Sequence, residues 1–180
     1  PRHIGLDVVQ FEQFADRLNQ STAGLPEALA PWIEIEVLHL HVLLGRDLDQ
    51  VREACWERLG ARPQPLSDTD LIQAELDDLL RHRRLVIVAH LATRRSAAPA
   101  DAQRLLAYLD RGIETTGEDG ERFAWQMFKY QLLVALDRPQ ELEQALNTWI
   151  KPQDANNDWR RSLAYVQAEQ GRLREAIGLL

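Results

Sequence analysis

Residues 159–180, WRRSLAYVQAEQGRLREAIGLL, constrain the fold more than any other stretch. Trp159, Leu163 and Val166 stand at i, i+4 and i+7. Past Gly171, the set Leu173, Ala176, Ile177 and Leu180 stands at i, i+3, i+4 and i+7. Each half therefore predicts a helix with one apolar stripe and one polar face. A hairpin of two such helices has no third element to lay over its stripes, so it needs neighbours of the same kind stacked beside it. The expected fold class is all-α, built from antiparallel helix-turn-helix pairs.

A single constant shift of the sequence on itself finds such a neighbour upstream. Trp125 falls on Trp159, Asp137 on Gly171, Arg138 on Arg172, Glu141 on Glu175 and Leu146 on Leu180. Only four of the 22 aligned positions are identical, so the shared turn and the period carry the match. This earlier pair covers about 121–150 and turns at Asp137-Arg138-Pro139. Its second helix has Leu142, Ala145, Leu146, Trp149 and Ile150 on one stripe.

Ala164 after Leu163, Gly171 at the turn, Leu173 two residues on and the pair Glu175-Ala176 resemble a tetratricopeptide (TPR) repeat, and the shift that lays Trp125 on Trp159 equals the period of that family. The resemblance covers residues 121–180, two repeats of which the last is truncated. It implies a right-handed superhelix, or solenoid, of helix-turn-helix pairs with a concave face made by the first helix of each pair. Carried onto this chain, that face presents Met127, Gln131 and Val134 from one repeat and Arg161, Tyr165 and Ala168 from the next. The TPR clamp for C-terminal carboxylates has lysine and asparagine where this chain has Met127 or Arg161 and Gln131 or Tyr165, so that ligand is not implied. The function implied is a non-enzymatic protein–protein interaction scaffold, its partner a protein or neighbouring domains of the same polypeptide. The closing hairpins also resemble helical segments of large bacterial envelope proteins of the α2-macroglobulin-like kind. That implies a second reading, a structural spacer positioning domains. Terminal repeats usually carry a polar outer face, whereas Leu180 falls inside an apolar stripe, so the expectation is a segment of a longer protein.

Residues 1–120 are expected as irregular helical hairpins continuous with the array, because the turns near Gly45, Ala98, Asp137 and Gly171 are unevenly spaced and reach the repeat period only at the last step. Val8, Phe11, Ala15 and Leu18 mark a short helix over 6–18. Residues 31–44 carry two stripes, Trp32, Ile35, His39, Val42 and Ile33, Val37, Leu40, Leu44, which predicts a helix buried between others. The run IEIEV within it, and LVIVA at 85–89, also alternate as strands do; the absence of bounding turn residues favours helix. Gly45-Arg46-Asp47 leads into a helix bearing Leu48, Val51, Cys55 and Leu59 that stops at Gly60, before the breaker at 61–65. The longest helix is expected from a cap at Ser67 and Asp70 to about Arg94, with Ile72, Leu76, Leu79, Val86 and His90 down one side. Ser96 to Pro99 closes it, and Ala102, Leu105, Leu106, Leu109 and Ile113 mark the return helix.

The 180 residues are 45% apolar and 27% charged, an ordinary globular composition. A net charge of −7 gives no whole-chain support for nucleic-acid or membrane-surface binding. No run approaches the roughly 18 apolar residues of a membrane span, and PRHIGLDVVQ lacks the layout of a secretory signal. The lone Cys55 excludes an internal disulfide framework and fits the cytosol better, although a fragment of an exported protein would read the same way. Nineteen arginines against two lysines fit GC-rich, bacterial coding.

The candidate chemistry is sparse. His39 and His41 point to different sides of a helix and cannot share one ion. Asp154, Asn156 and Asp158 start a calcium-loop spacing that then has Trp159 for the turn glycine and Tyr165 for the bidentate glutamate; Asp158 is better placed to cap a helix. Cys55 sits on an apolar stripe, where a thiol is inert. No nucleophile elbow, phosphate loop or zinc-protease motif occurs, so neither metal nor cofactor is expected; an enzyme or small-ligand domain without a recognisable motif is the third reading. Arg81, His82, Arg83, Arg84, Arg94 and Arg95 form the one basic concentration. Residues eleven apart recur within about 20° on a helix, so Arg83 with Arg94, and Arg84 with Arg95, could make an anionic-ligand patch. The favoured reading is a solvated face paired in part with Asp77, since charge runs on helices usually face solvent. Trp32, Trp56, Trp125, Trp149 and Trp159 read as inter-helix packing rather than a binding groove, Trp125 being the one expected to be partly exposed.

Overall fold

Prolines and left-handed turns set the helix boundaries. The computed structural model describes residues 13–14, 16–17, 20, 29–60, 71–94, 97–117, 119–150 and 158–180. Among them are eight helices and no strand: α1 (Ala30–Leu44), α2 (Leu48–Leu59), α3 (Leu71–Ala92), α4 (Pro99–Thr115), α5 (Asp119–Ala135), α6 (Pro139–Trp149), α7 (Asp158–Glu169) and α8 (Leu173–Leu179). IEIEV and LVIVA are both helical. Prolines open α1, α4 and α6, where a missing N–H costs no helical hydrogen bond. Pro99 thus begins α4 rather than closing α3. Of the helix expected over 6–18, positions 13, 14, 16 and 17 are described and helical. The breaker at 61–65, the cap at Ser67 and Asp70, Arg95, Asp154 and Asn156 lie outside the described residues.

Three hairpins turn in the same way. Gly45, Asp137 and Gly171 take positive φ of 71°, 54° and 80°. The next residue is an arginine each time, and its N–H donates to the carbonyl five residues earlier: Arg46 to His41 (2.9 Å), Arg138 to Leu133 (3.0 Å) and Arg172 to Gln167 (2.9 Å). This bond satisfies a carbonyl that the helix end leaves without a partner. At Asp137 and Gly171, the two turns one period apart, the likeness extends to side chains, since Arg138 meets Glu141 at 3.1 Å and Arg172 meets Glu175 at 3.0 Å.

The chain divides into two compact units, Pro1–Arg122 and Phe123–Leu180. In the first, α3 packs against α1, α2 and α4, and α1 also meets α2. Ile35, Val42, Val51, Cys55, Leu105 and Leu109 are buried along with Leu80, Ile87, Val88 and Leu91 of α3. The side of α3 expected to be inside is not the one that is buried. Leu79 is 47% exposed, and His90 is exposed as well. The true stripe runs Leu80, Arg84, Ile87, Leu91, and the arginine at its second position hides it from a hydrophobic pattern. Between α2 and α4, Trp56 meets Tyr108 edge-on at 5.6 Å, the Tyr108 hydroxyl donates to the Leu59 carbonyl at 3.2 Å, and the Arg104 guanidinium lies 4.2 Å above the Trp56 ring.

In the second unit α6 packs on α7 and α7 on α8. Trp159 gathers Trp149 (5.0 Å), Phe123 (5.2 Å) and Tyr130 (6.0 Å). Burial follows the same period as the sequence: Trp125 with Trp159, Leu132 with Val166, Leu133 with Gln167 and Leu142 with Ala176 are all buried. Trp125, at 7% exposure, is therefore a packing residue and not the partly exposed one. Phe123, roughly 200° away from it around α5, takes that place. In α8 only Ala176 of the expected stripe is buried, because α7 covers one side of this short helix; Leu173, Ile177 and Leu180 are exposed. The fold is all-α among the described residues, and the packing between neighbouring helices is compatible with a helical repeat.

Candidate functional site

Burying Trp159, Leu163 and Val166 turns the opposite side of α7 outward. Arg161, Tyr165, Ala168 and Glu169 stand there at i, i+4, i+7 and i+8, within about 100° of arc. Tyr165 is 72% exposed, Arg161 and Glu169 are exposed, and Ala168 is half-buried. Among the described residues, Tyr165, Ala168 and Glu169 line an open depression of about 350 Å³. Neither Arg161 nor Glu169 has an ion-pair or hydrogen-bond partner among the described residues. The positions one period earlier, on α5, are Met127, half-buried, and Gln131 and Val134, both exposed. All six residues expected to face a partner are thus at least partly accessible. Glu169, which borders the depression, was missed because the TPR pattern does not single it out, although a helical wheel through Tyr165 reaches it.

A clasp anchors the base of this face. Arg172 Nη2 reaches Glu143 Oε2 on α6 at 2.5 Å, its Nη1 meets Glu175 at 3.0 Å, and it also bonds Gln170. The Arg172 hydrogen bond holds the Glu143 carboxyl below the usual carboxylate range, against the opposing effect of burial, and a hydrogen bond from Gln167 helps. The turn between α7 and α8 is thereby tied to the preceding pair.

The arginines of α3 are engaged inside the first unit. Arg83 Nη2 pairs with Glu36 at 2.5 Å, and Arg94 Nη1 donates to the Val42 carbonyl at 2.6 Å. Both partners lie on α1, Arg83 reaching it from within α3 and Arg94 from the turn just past the end of α3. Arg84 is half-buried, and burial lowers its pKa while Glu34 acts in the other direction. Arg81 pairs with Asp78 at 3.2 Å. His41 Nδ1 lies 3.3 Å from Asp47 Oδ2. No group of three metal-ligating side chains occurs among the described residues, and no described helix is long and apolar enough to cross a membrane.

Cys55 is fully buried, and burial pushes its thiol up from the ordinary 9 to about 11, with Arg84 lowering it and Glu34 raising it. Below pH 9 the folded and unfolded chains both keep this proton. Above it only the unfolded chain loses it, so stability falls as pH rises through about 9 to 11, by roughly 2–3 kcal/mol. Burial raises the Tyr108 hydroxyl too, which adds to the loss at still higher pH. Urea unfolding at pH 7.5 and 10.5 checks this: the drop in midpoint is expected to be smaller in Cys55→Ala than in the wild type.

Compared with protein-family models, with curated proteins and with solved structures, the chain matches none.

Proposed function

We propose that this chain is a non-enzymatic, TPR-like protein-interaction scaffold whose two closing hairpins belong to a right-handed superhelix. The observation that carries the reading is the outward face of α7. A large aromatic side chain, Tyr165, stands in solvent beside an open depression, while the other side of the same helix packs tightly. Aromatic residues of this kind anchor protein interfaces, since they supply contact area with few rotatable bonds. The partner is a protein or a neighbouring domain of the same polypeptide. With a net charge of −7, nucleic acid is not proposed as a partner.

The test is a quantitative pull-down with the full chain against a double variant, Arg161→Ala with Tyr165→Ala. Both side chains are exposed, so the variant is expected to keep its helical circular dichroism and lose the proteins that the wild type retains, by about tenfold or more. Equal loss of helicity and capture, or no loss of capture, contradicts the reading. A second reading, a spacer that orders neighbouring domains, draws on the exposed Leu173 and Ile177 of α8 and Leu180 just past it, an apolar surface suited to a stacked element.

A further inference from the structure

We infer that the α7 face selects an extended peptide segment carrying an acidic residue, a central apolar residue and a basic residue at alternate positions. This rests on the interaction reading above and names the chemistry of the partner at the same face. Arg161 and Glu169, both without partners among the described residues, bracket Tyr165 at equal spacing. Eight residues of helix separate the two charges by about 12 Å, with Tyr165 midway. An extended chain rises about 3.3 Å per residue and points alternate side chains to one side. Positions four apart on it span about 13 Å, and the residue between them points the same way, toward Tyr165 and the depression that Ala168 and Glu169 border. The acidic side chain meets Arg161, the apolar one packs on Tyr165, and the basic one meets Glu169.

The depression of about 350 Å³ accepts one or two side chains, and an extended segment presents its alternate side chains at the spacing of Arg161, Tyr165 and Glu169. The equivalent positions on α5, Met127, Gln131, Val134 and Ala135, carry no charge, so charge selection falls to α7. Because an extended segment can lie in either direction, the feature selected is the opposite sign of its two ends and not their order along the chain.

The experiment uses the full chain and three short fluorescent peptides that differ only in their spaced positions: Glu–Leu–Lys, Glu–Leu–Glu and Lys–Leu–Lys, with serine between and around them. Exposed ion pairs contribute up to about 1 kcal/mol each, so the wild type is expected to prefer Glu–Leu–Lys over either other peptide by about two- to fivefold at low salt, with the preference shrinking as salt rises. Arg161→Glu is expected to move the preference to Lys–Leu–Lys, and Glu169→Arg to move it to Glu–Leu–Glu. Exposure of both positions keeps these variants folded, which circular dichroism checks. A preference unaltered by the substitutions, a wild type indifferent to the three peptides, or no binding of any of them overturns the inference. The scaffold reading is judged separately by the Tyr165 pull-down, so charge-blind capture that still requires Tyr165 removes only the charge selection.

Discussion

Trp159→Ala is expected to destabilise the second unit by about 3–5 kcal/mol, the range for removing a large aromatic side chain from a packed site. The indole is 6% exposed and stands within 5.0–6.0 Å of Trp149, Phe123 and Tyr130, so α5, α6 and α7 lose one shared contact together. Little in this unit could compensate, because α8 buries only Ala176. Trp159→Phe keeps an aromatic ring in the cluster and is expected to cost less. Denaturant unfolding gives the magnitude, and hydrogen exchange should place the loss of protection in α5 to α8. A cost below about 1 kcal/mol would mean that the aromatic cluster does not hold these helices together.

The second large effect distinguishes two readings of α3. Leu91→Ala, at a site 2% exposed where α3 meets its neighbours, is expected to cost about 2–5 kcal/mol. Leu79→Ala, on the side that hydrophobic spacing alone points inward, is expected to stay within about 0.5 kcal/mol of the wild type because Leu79 is 47% exposed. Urea midpoints of the two variants measured together decide the matter. A reversed order would place the Leu76, Leu79, Val86 side against the rest of the unit.

That contrast also shows where the sequence is legible. Helices with one clean stripe, such as α6 with Leu142, Ala145, Leu146 and Trp149, are read directly, because their buried side is also their apolar side. The turns at Gly45, Asp137 and Gly171 are readable from residues that tolerate a left-handed conformation and, at Asp137, from the proline just beyond. The side α3 buries is not readable by the same means. It meets three helices, and Arg84 occupies its inner stripe with the guanidinium half-buried near Glu34. Periodicity gives no sign that Arg83 and Arg94 both reach α1, since their partners, Glu36 and the Val42 carbonyl, lie 47 and 52 residues away. Long-range pairing of that kind leaves no local pattern. On α7 the outward positions follow from the register shared with α5, whereas the depression beside Tyr165 depends on how the hairpins close.

The central claim is that a partner docks on the outward faces of α5 and α7. Hydrogen–deuterium exchange of the full chain, alone and bound to a protein that Tyr165→Ala fails to retain, tests it most directly. Added protection is expected around Met127 to Val134 and Arg161 to Glu169, with the backbone of α1 to α4 unchanged. Protection confined to α1 to α4 or to α8, or no change on α7, would contradict the account.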